Sequence, residues 1–176
     1  GLGLDAGLDL LVHPAGTSNH AGLDHPRARA VADYHAFFGE LDPPRLFLID
    51  LPVGKTIDAT IDAAYVVMEP GDVVLDVSAS YWGDTLRRFR RMRHRSLFYV
   101  DLALLGPVPN GVVLAAGDAR GLELAWPLLE RMARPGGVVR AGEAEVEARN
   151  SAFRVNALDR YFDYSGLAVD AGPVLL

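Results

Sequence analysis

The chain has 176 residues, half of them hydrophobic, a formal net charge of −6 and no cysteine. This length suits one full domain with a sizeable core, and the lack of cysteine excludes disulfides, a thiolate metal site and a cysteine nucleophile. Because the chain has no long basic block, apolar span or leader-like segment, we expect a cytoplasmic protein that binds neither nucleic acid nor membrane.

The first forty residues predict a glycine-rich loop followed by a helix. Gly1, Gly3 and Ala6 fit the pattern G-x-G-x-x-A, in which backbone N–H groups approach a pyrophosphate at a helix N-terminus. Asp24 lies 21 positions after Gly3, the spacing of an acid that binds a ribose 2′-hydroxyl, and its charge favours NAD over NADP. The alternative is a flexible terminus in which Asp24 only caps a helix over residues 28–38.

A strand is expected before such a loop, and none precedes Gly1. This predicts that the natural start lies upstream, with residues 8–12 or a partner chain as a substitute for that strand. An unfilled position in the middle of a sheet would leave two strand edges exposed.

Repeated strand–helix units after residue 45 predict a parallel sheet, because short apolar runs separated by helical segments are typical of buried parallel strands. The predicted strands are residues 46–49, 73–75, 97–100, 112–116 and 138–139, and the predicted helices follow Gly54 and cover residues 84–95 and 122–133, with a loop over 102–110. The first three runs end next to Asp50, Asp76 and Asp101. Ligands bind at the carboxyl ends of such strands, so these turns mark the predicted site.

Other candidate groups each have a structural alternative. The basic stretch over residues 87–95 would suit an anion, but we favour the solvated face of a helix whose Leu86, Phe89 and Met92 point inward. Lys55 follows a strand-to-helix turn and would suit an anionic ligand, although simple exposure is the favoured interpretation. The histidines show no metal-ligand spacing with nearby carboxylates, so no metal is expected.

Several segments resemble 6-phosphogluconate dehydrogenases, in the same order along the chain. Residues 51–61 resemble the family's "VPAG…TDATI", residues 69–76 its "PGDIIID", residues 80–88 its "NSYYKDDIRR" and residues 98–101 its "FVD". The resemblance implies a Rossmann-type α/β domain over residues 1–137, with a mostly parallel sheet and helices on both faces. Residues 138–176 would then be a linker and the beginning of a truncated helical domain.

The resemblance also implies a function and a set of site residues. Members of the 6-phosphogluconate and β-hydroxyacid dehydrogenase superfamily oxidise a small 3-hydroxy acid by hydride transfer to NAD(P), and the phosphogluconate type then releases CO2. A homodimer or a partner subunit is expected. Besides the glycine loop and Asp24, the implied cofactor contacts are Leu51, Pro52, Val53 and Ala79, and the implied substrate contacts are Ser80 and Gly106.

The chain departs from the family's pattern where the chemistry is performed. The family's "GGNS" turn falls on Val77, Ser78, Ala79 and Ser80, so the glycines and the asparagine are missing. The lysine that acts as general base falls on Arg154, which stays protonated and cannot accept a proton. We therefore assign no catalytic residue and expect the chain alone to be catalytically degenerate. The alternative is a Rossmann-like interaction module that binds no cofactor.

Overall fold

In the computed structural model, which describes residues 10–13, 26–31, 33–78 and 80–142, the apolar runs of the sequence form neighbouring strands of one sheet. The strands are β1 (Leu10–Val12), β2 (Ala28–Ala30), β3 (Leu46–Ile49), β4 (Val73–Asp76), β5 (Phe98–Leu105), β6 (Val112–Gly117) and β7 (Val138–Gly142). The helices in this part of the chain are α1 (Tyr34–Gly39), α2 (Lys55–Val67), α3 (Trp82–Arg93) and α4 (Ala119–Met132).

The main sheet is mostly parallel, as the sequence predicts. Its strand order is β3-β4-β5-β6-β7, and β3, β4 and β5 run parallel to one another. β6 is antiparallel to β5, while β7 is parallel to β6. Strands that are covered on both faces need apolar residues throughout, which explains the continuous runs of the sequence. The fold is therefore of the α/β, Rossmann type.

Helices cover both faces of this sheet. On one face, α1, α2 and α3 contribute Phe38, Ile57, Ile61 and Met92 to a core that they share with the sheet. On the other face, α4 buries Leu122, Ala125, Leu129 and Met132 against β4, β5 and β6. A Cβ atom on Gly121 would lie 2.8 Å from Cβ of Phe98, so glycine lets α4 approach the sheet closely. None of the described helices is long and apolar enough to cross a bilayer.

The prediction for residues 28–38 is wrong in its first half. Residues 28–30 form β2, which pairs in parallel with β1, and α1 begins only at Tyr34. The segment Ala28-Arg29-Ala30 has high helix propensity, but pairing with another strand overrides a preference of this size. Asp33 is the actual N-cap, and its Oδ1 accepts a hydrogen bond from the Ala36 N–H at 2.8 Å.

Two further elements differ in extent from the expectation. β5 continues to Leu105 where a loop from residue 102 was expected, because its second half pairs with β6 in an antiparallel hairpin. β7 reaches Gly142, where a strand over residues 138–139 was expected. Within residues 8–12, the strand at 10–12 belongs to a separate two-stranded sheet with β2 and does not fill a place in the main sheet.

Candidate functional site

β3 and β4 end side by side, and the two turns that follow them form the edge at which a ligand is expected. Ile49 and Asp76 are partners in the parallel register, so the turns at 51–54 and 77–81 begin at the same level. The implied cofactor contacts Leu51, Pro52 and Val53 therefore share one edge with Ser80, the implied substrate contact. In open α/β sheets this carboxyl edge is where ligands bind.

The turn after β3 is open to solvent. Pro52 and Gly54 are exposed, and the Val53 side chain keeps 60% of its accessible surface. Gly54 has a φ of 155°, and a Cβ atom there would have nothing within 4 Å. α2 begins at the next residue, and no described side chain caps it. The first N–H groups of a helix have no intrahelical partner and favour an anion, so this turn suits a phosphate group.

The turn after β4 is organised around one buried carboxylate. Asp76 accepts hydrogen bonds from the Ser78 N–H at 2.9 Å, from the Ser78 hydroxyl and from the Tyr99 hydroxyl. The Ser80 hydroxyl lies 3.2 Å from that of Ser78. The carboxylate, both serines and the tyrosine are buried. These hydrogen bonds fix the turn on its buried side. The serine and tyrosine hydroxyls therefore have little surface left to contact a ligand.

Arg88 of α3 completes this network and is itself only 3% exposed. Its Nε donates to Oδ1 of Asp58 at 2.8 Å, and its Nη1 donates to the Ser80 hydroxyl at 2.7 Å. A longer contact of 3.4 Å joins Nη1 to Oδ2 of Asp76. One guanidinium thus contacts the first turn of α2, the end of β4 and the turn after it.

The network shifts the pKa values of Tyr99, Asp58 and Arg88 in directions that keep their present protonation. Burial raises the pKa of Tyr99 well above its ordinary value, and the neighbouring Asp76 and Asp101 raise it further, so the hydroxyl remains a donor. The hydrogen bond from Arg88 lowers the pKa of Asp58. Burial alone would lower the pKa of Arg88, but the hydrogen bond to Asp58 and nearby negative charge raise it.

Replacing Asp58 by asparagine is expected to reduce the loss of folding stability that occurs as the pH falls. A carboxyl whose pKa is lower in the folded state stabilises the fold above its unfolded pKa of about 4, and this contribution is lost as the pH falls toward the folded value. Urea unfolding at pH 7 and pH 3.5 measures the effect. Between these two pH values the unsubstituted chain should lose more stability than the variant, and equal losses would contradict the assignment.

Val77, at the first position of the family's "GGNS" turn, continues the pairing of β3 and β4. Its N–H donates to the Ile49 carbonyl at 3.0 Å and so extends the β3–β4 ladder by one bond. Its side chain is partly buried and packs against the core cluster on the α4 face of the sheet. This position is therefore part of the packed sheet.

Gly106 lies in the loop of the β5–β6 hairpin, which extends beyond the level at which the other turns begin. Asp76 is in register with Asp101, and β5 continues four residues further, to Leu105. At about 3.3 Å per residue, the β5–β6 hairpin rises roughly 13 Å beyond the end of β4. Gly106 follows Leu105 with a φ of 88°, a conformation that glycine adopts without strain. The hairpin forms a wall beside the edge.

Several predicted residues lie outside the part of the chain that the structure describes, so their roles stay predictions. They are Gly1, Gly3, Ala6, Asp24, Ala79 and Arg154. The described residues contain no group of three or more histidine or carboxylate side chains placed to hold a metal ion.

The basic stretch on α3 faces α2 and pairs with it. Arg87 donates to Asp58 at 2.9 Å, Arg91 pairs with Asp62, and the Arg95 guanidinium donates to backbone carbonyls near the end of α2. Phe89 and Met92 are buried and Leu86 is half-buried. The sequence analysis did not predict the burial of Arg88, because Arg90 is also next to Phe89 and is exposed.

A mostly parallel sheet with helices on both faces, an open turn and an uncapped helix at its carboxyl edge is typical of Rossmann-type domains. Residues 3–145 match the family model described as the NAD binding domain of 6-phosphogluconate dehydrogenase. Because the match covers most of the chain, the protein belongs to that family, whose members are oxidoreductases.

A curated relative agrees with this assignment, and two solved structures share the fold. The chain is 28% identical over 101 residues to the decarboxylating 6-phosphogluconate dehydrogenase of Bacillus licheniformis, which covers 55% of this chain and 22% of that protein. Among solved structures, the Streptomyces aurantiacus imine reductase has a TM-score of 0.70 at 16% identity (89% of this chain, 55% of that one). The Salmonella typhimurium 3-hydroxyisobutyrate dehydrogenase has a TM-score of 0.67 at 20% identity (85% and 53%). The chain spans 22–44% of the length of the first curated relatives it matches.

Proposed function

We propose that this chain binds a nicotinamide dinucleotide at the carboxyl edge of β3 and β4, as the cofactor domain of an oxidoreductase for a small hydroxy acid. The exposed turn after β3 carries the proposal, because Val53 and the uncapped start of α2 are open where this sheet topology binds ligands. Tyr81, half-exposed after β4, adds an aromatic surface on the same edge. Membership of an NAD-binding family supports the same ligand.

The hydroxy-acid substrate is supported by the relatives' names alone. The curated relative is a 6-phosphogluconate dehydrogenase, and one structural neighbour is a 3-hydroxyisobutyrate dehydrogenase. The imine reductase shares the fold equally well, so the choice of substrate rests on the sequence relative and not on the sheet.

We further propose that this chain alone does not complete the reaction. The Ser80 hydroxyl is buried and accepts a hydrogen bond from Arg88, so it is not available to a substrate. Arg154, at the position of the family's lysine, cannot serve as a general base. An assay of NAD(P)H formation with 6-phosphogluconate tests this point: we expect no signal above background, and turnover would overturn it.

Fluorescence titration with NADH and with NADPH tests the binding proposal. We expect saturable binding, with NADH preferred because Asp24 would repel the additional phosphate of NADPH. The internally bonded groups of the turn after β4 favour the second candidate, an interaction module without a cofactor. Absence of binding of either nucleotide at millimolar concentration would contradict the first candidate and support the second.

Substituting Val53 by glutamate is expected to weaken NADH binding about tenfold, which is 1.4 kcal/mol. The side chain is exposed, so the fold should tolerate the change, but a carboxylate at this turn would face an anionic ligand. Val66→Glu is the matched control, because Val66 is 70% exposed near the carboxyl end of α2, the helix that follows this turn. Equal loss of affinity in both variants would show that the turn after β3 is not the binding edge.

A further inference from the structure

Arg88 contacts elements on both sides of this edge. Toward α2 it holds Asp58, four residues after Gly54 in the chain, and toward β4 it holds Ser80 and Asp76. The first of these contacts fixes the start of the helix that follows the turn at 51–54. The others fix the turn after β4. One guanidinium therefore bridges the two turns, in addition to the backbone bond between the Val77 N–H and the Ile49 carbonyl.

The hydrogen bonds of the network determine which of the two serine hydroxyls is the donor in their mutual contact. A serine hydroxyl has one proton, and that of Ser78 is donated to Asp76. In the 3.2 Å contact between the two serines, Ser80 must then be the donor. Ser80 also accepts from Arg88, and it is only 2% exposed. The Ser80 hydroxyl thus donates to one side chain of the protein and accepts from another, which assigns it to holding the turn and not to contacting a substrate.

We propose that Arg88 is the positioning residue of this edge, and that it holds the turn after β3 and the turn after β4 at a fixed separation. It does so by bridging Asp58 on α2 to Ser80 and Asp76 on the β4 side. The consequence for cofactor binding rests on the proposed function, since it takes these two turns as the cofactor-binding turns. The mechanical link itself does not depend on any ligand.

Arginine suits this role better than lysine. Its planar guanidinium presents several donors in a fixed geometry and remains protonated, so it can hold separate acceptors at once. The ammonium group of lysine is a compact point charge and cannot reproduce donors at the separate Nε and Nη1 positions. Replacing Arg88 by lysine therefore keeps the charge and removes the bridge.

Amide hydrogen exchange measured by NMR on the chain without nucleotide tests the link directly. Two amides report on the two turns: the Ser78 N–H, bonded to Asp76 at 2.9 Å, and the Ile57 N–H, bonded to the Gly54 carbonyl at 3.3 Å. Asp58→Asn removes the pairs of α2 with both Arg87 and Arg88, Ser80→Ala changes the turn after β4, and Arg88→Lys changes the bridge alone. Asp62→Asn is the matched control, because Asp62 lies one turn further along α2 and pairs with Arg91 of α3.

Each variant should accelerate exchange on the opposite side of the bridge. We expect Asp58→Asn to raise the exchange rate of the Ser78 amide, and Ser80→Ala that of the Ile57 amide, by about tenfold, since each removes a hydrogen bond to a charged group. Arg88→Lys should accelerate both, while Asp62→Asn should leave both within about twofold. If Asp58→Asn affects only Ile57, or if Asp62→Asn acts equally, the proposal is overturned. The Asp58 and Ser80 variants decide the matter even if Arg88→Lys does not fold.

NADH titration of the same variants separates this inference from the proposed function. If the unsubstituted chain binds NADH, Asp58→Asn should weaken binding severalfold while Asp62→Asn does not. If the unsubstituted chain binds no nucleotide but the exchange rates change as expected, the proposed function fails and the positioning role of Arg88 stands. If NADH binds but the two amides respond independently, the positioning role fails and the proposed function stands.

Discussion

Replacement of Asp72 by asparagine is expected to destabilise the protein by about 3–5 kcal/mol, the typical effect of breaking a buried ion pair from one side. Asp72 is fully buried at the start of β4 and pairs with the buried Arg45, whose Nε lies 3.1 Å from both carboxylate oxygens. Each oxygen also accepts a backbone N–H at 2.8 Å, one from Arg45 and one from Glu69. The amide group of asparagine must therefore turn its NH2 toward a donor in either orientation.

Glu69→Gln is the matched control for this prediction. Glu69 lies 3.0 Å from the same guanidinium, but its side chain is 61% exposed. Exposed ion pairs contribute about 0–1 kcal/mol, so this variant should unfold at nearly the urea concentration of the unsubstituted chain. The midpoint of urea unfolding measures both changes. A small shift for Asp72→Asn would mean that the pair does not hold β3 and β4 together at their amino ends.

Gly117→Ala is the second large effect that we expect. A Cβ atom at this position would lie 2.3 Å from the Tyr99 carbonyl oxygen and 2.9 Å from Cα of Val100. Both are backbone atoms of the central strand β5, so the clash can be relieved only by moving a strand. Overpacking of this kind destabilises by roughly 1–3 kcal/mol, and a shift of β5 would also displace the Tyr99 hydroxyl from Asp76.

Thermal unfolding of Gly117→Ala beside Gly39→Ala provides the measurement. A Cβ atom at Gly39 would have nothing within 4 Å, and this residue ends α1, so alanine there should be nearly neutral. A melting temperature of Gly117→Ala equal to that of the control would show that β5 and β6 can separate at this point without loss.

The core of the fold was predictable because its strands are buried on both faces. Continuous apolar runs such as those of β3, β4, β5 and β6 are typical of strands that are buried on both faces. The pattern failed where a tertiary contact decided the outcome: Ala28–Ala30 is a strand only because β1 lies beside it, and Leu102–Leu105 extends β5 only because β6 pairs with it. In both cases the pairing partner decides the structure, and the segment's own residues do not show it.

The candidate site was predictable in position but not in chemistry. The family motifs identified the turns after β3 and β4, and the structure brings the described members of these turns to one edge. That the Ser80 hydroxyl points into the network, and that Arg88 is buried while Arg87 is exposed, depends on side-chain packing. A run of consecutive arginines gives no indication of which of them is desolvated.

Because the β5–β6 hairpin extends beyond the ends of β3 and β4, the carboxyl edge of the sheet forms a step and is not straight. β3 and β4 stop at one level, and the hairpin stands beside them on one side only. An elongated molecule lying across this step would have one end against the hairpin and the other end over β3. A reacting group placed against the hairpin would have fewer competing water molecules around it than one placed over the ends of β3 and β4. The step therefore makes the two ends of any ligand of this edge unequal in their contact with the protein.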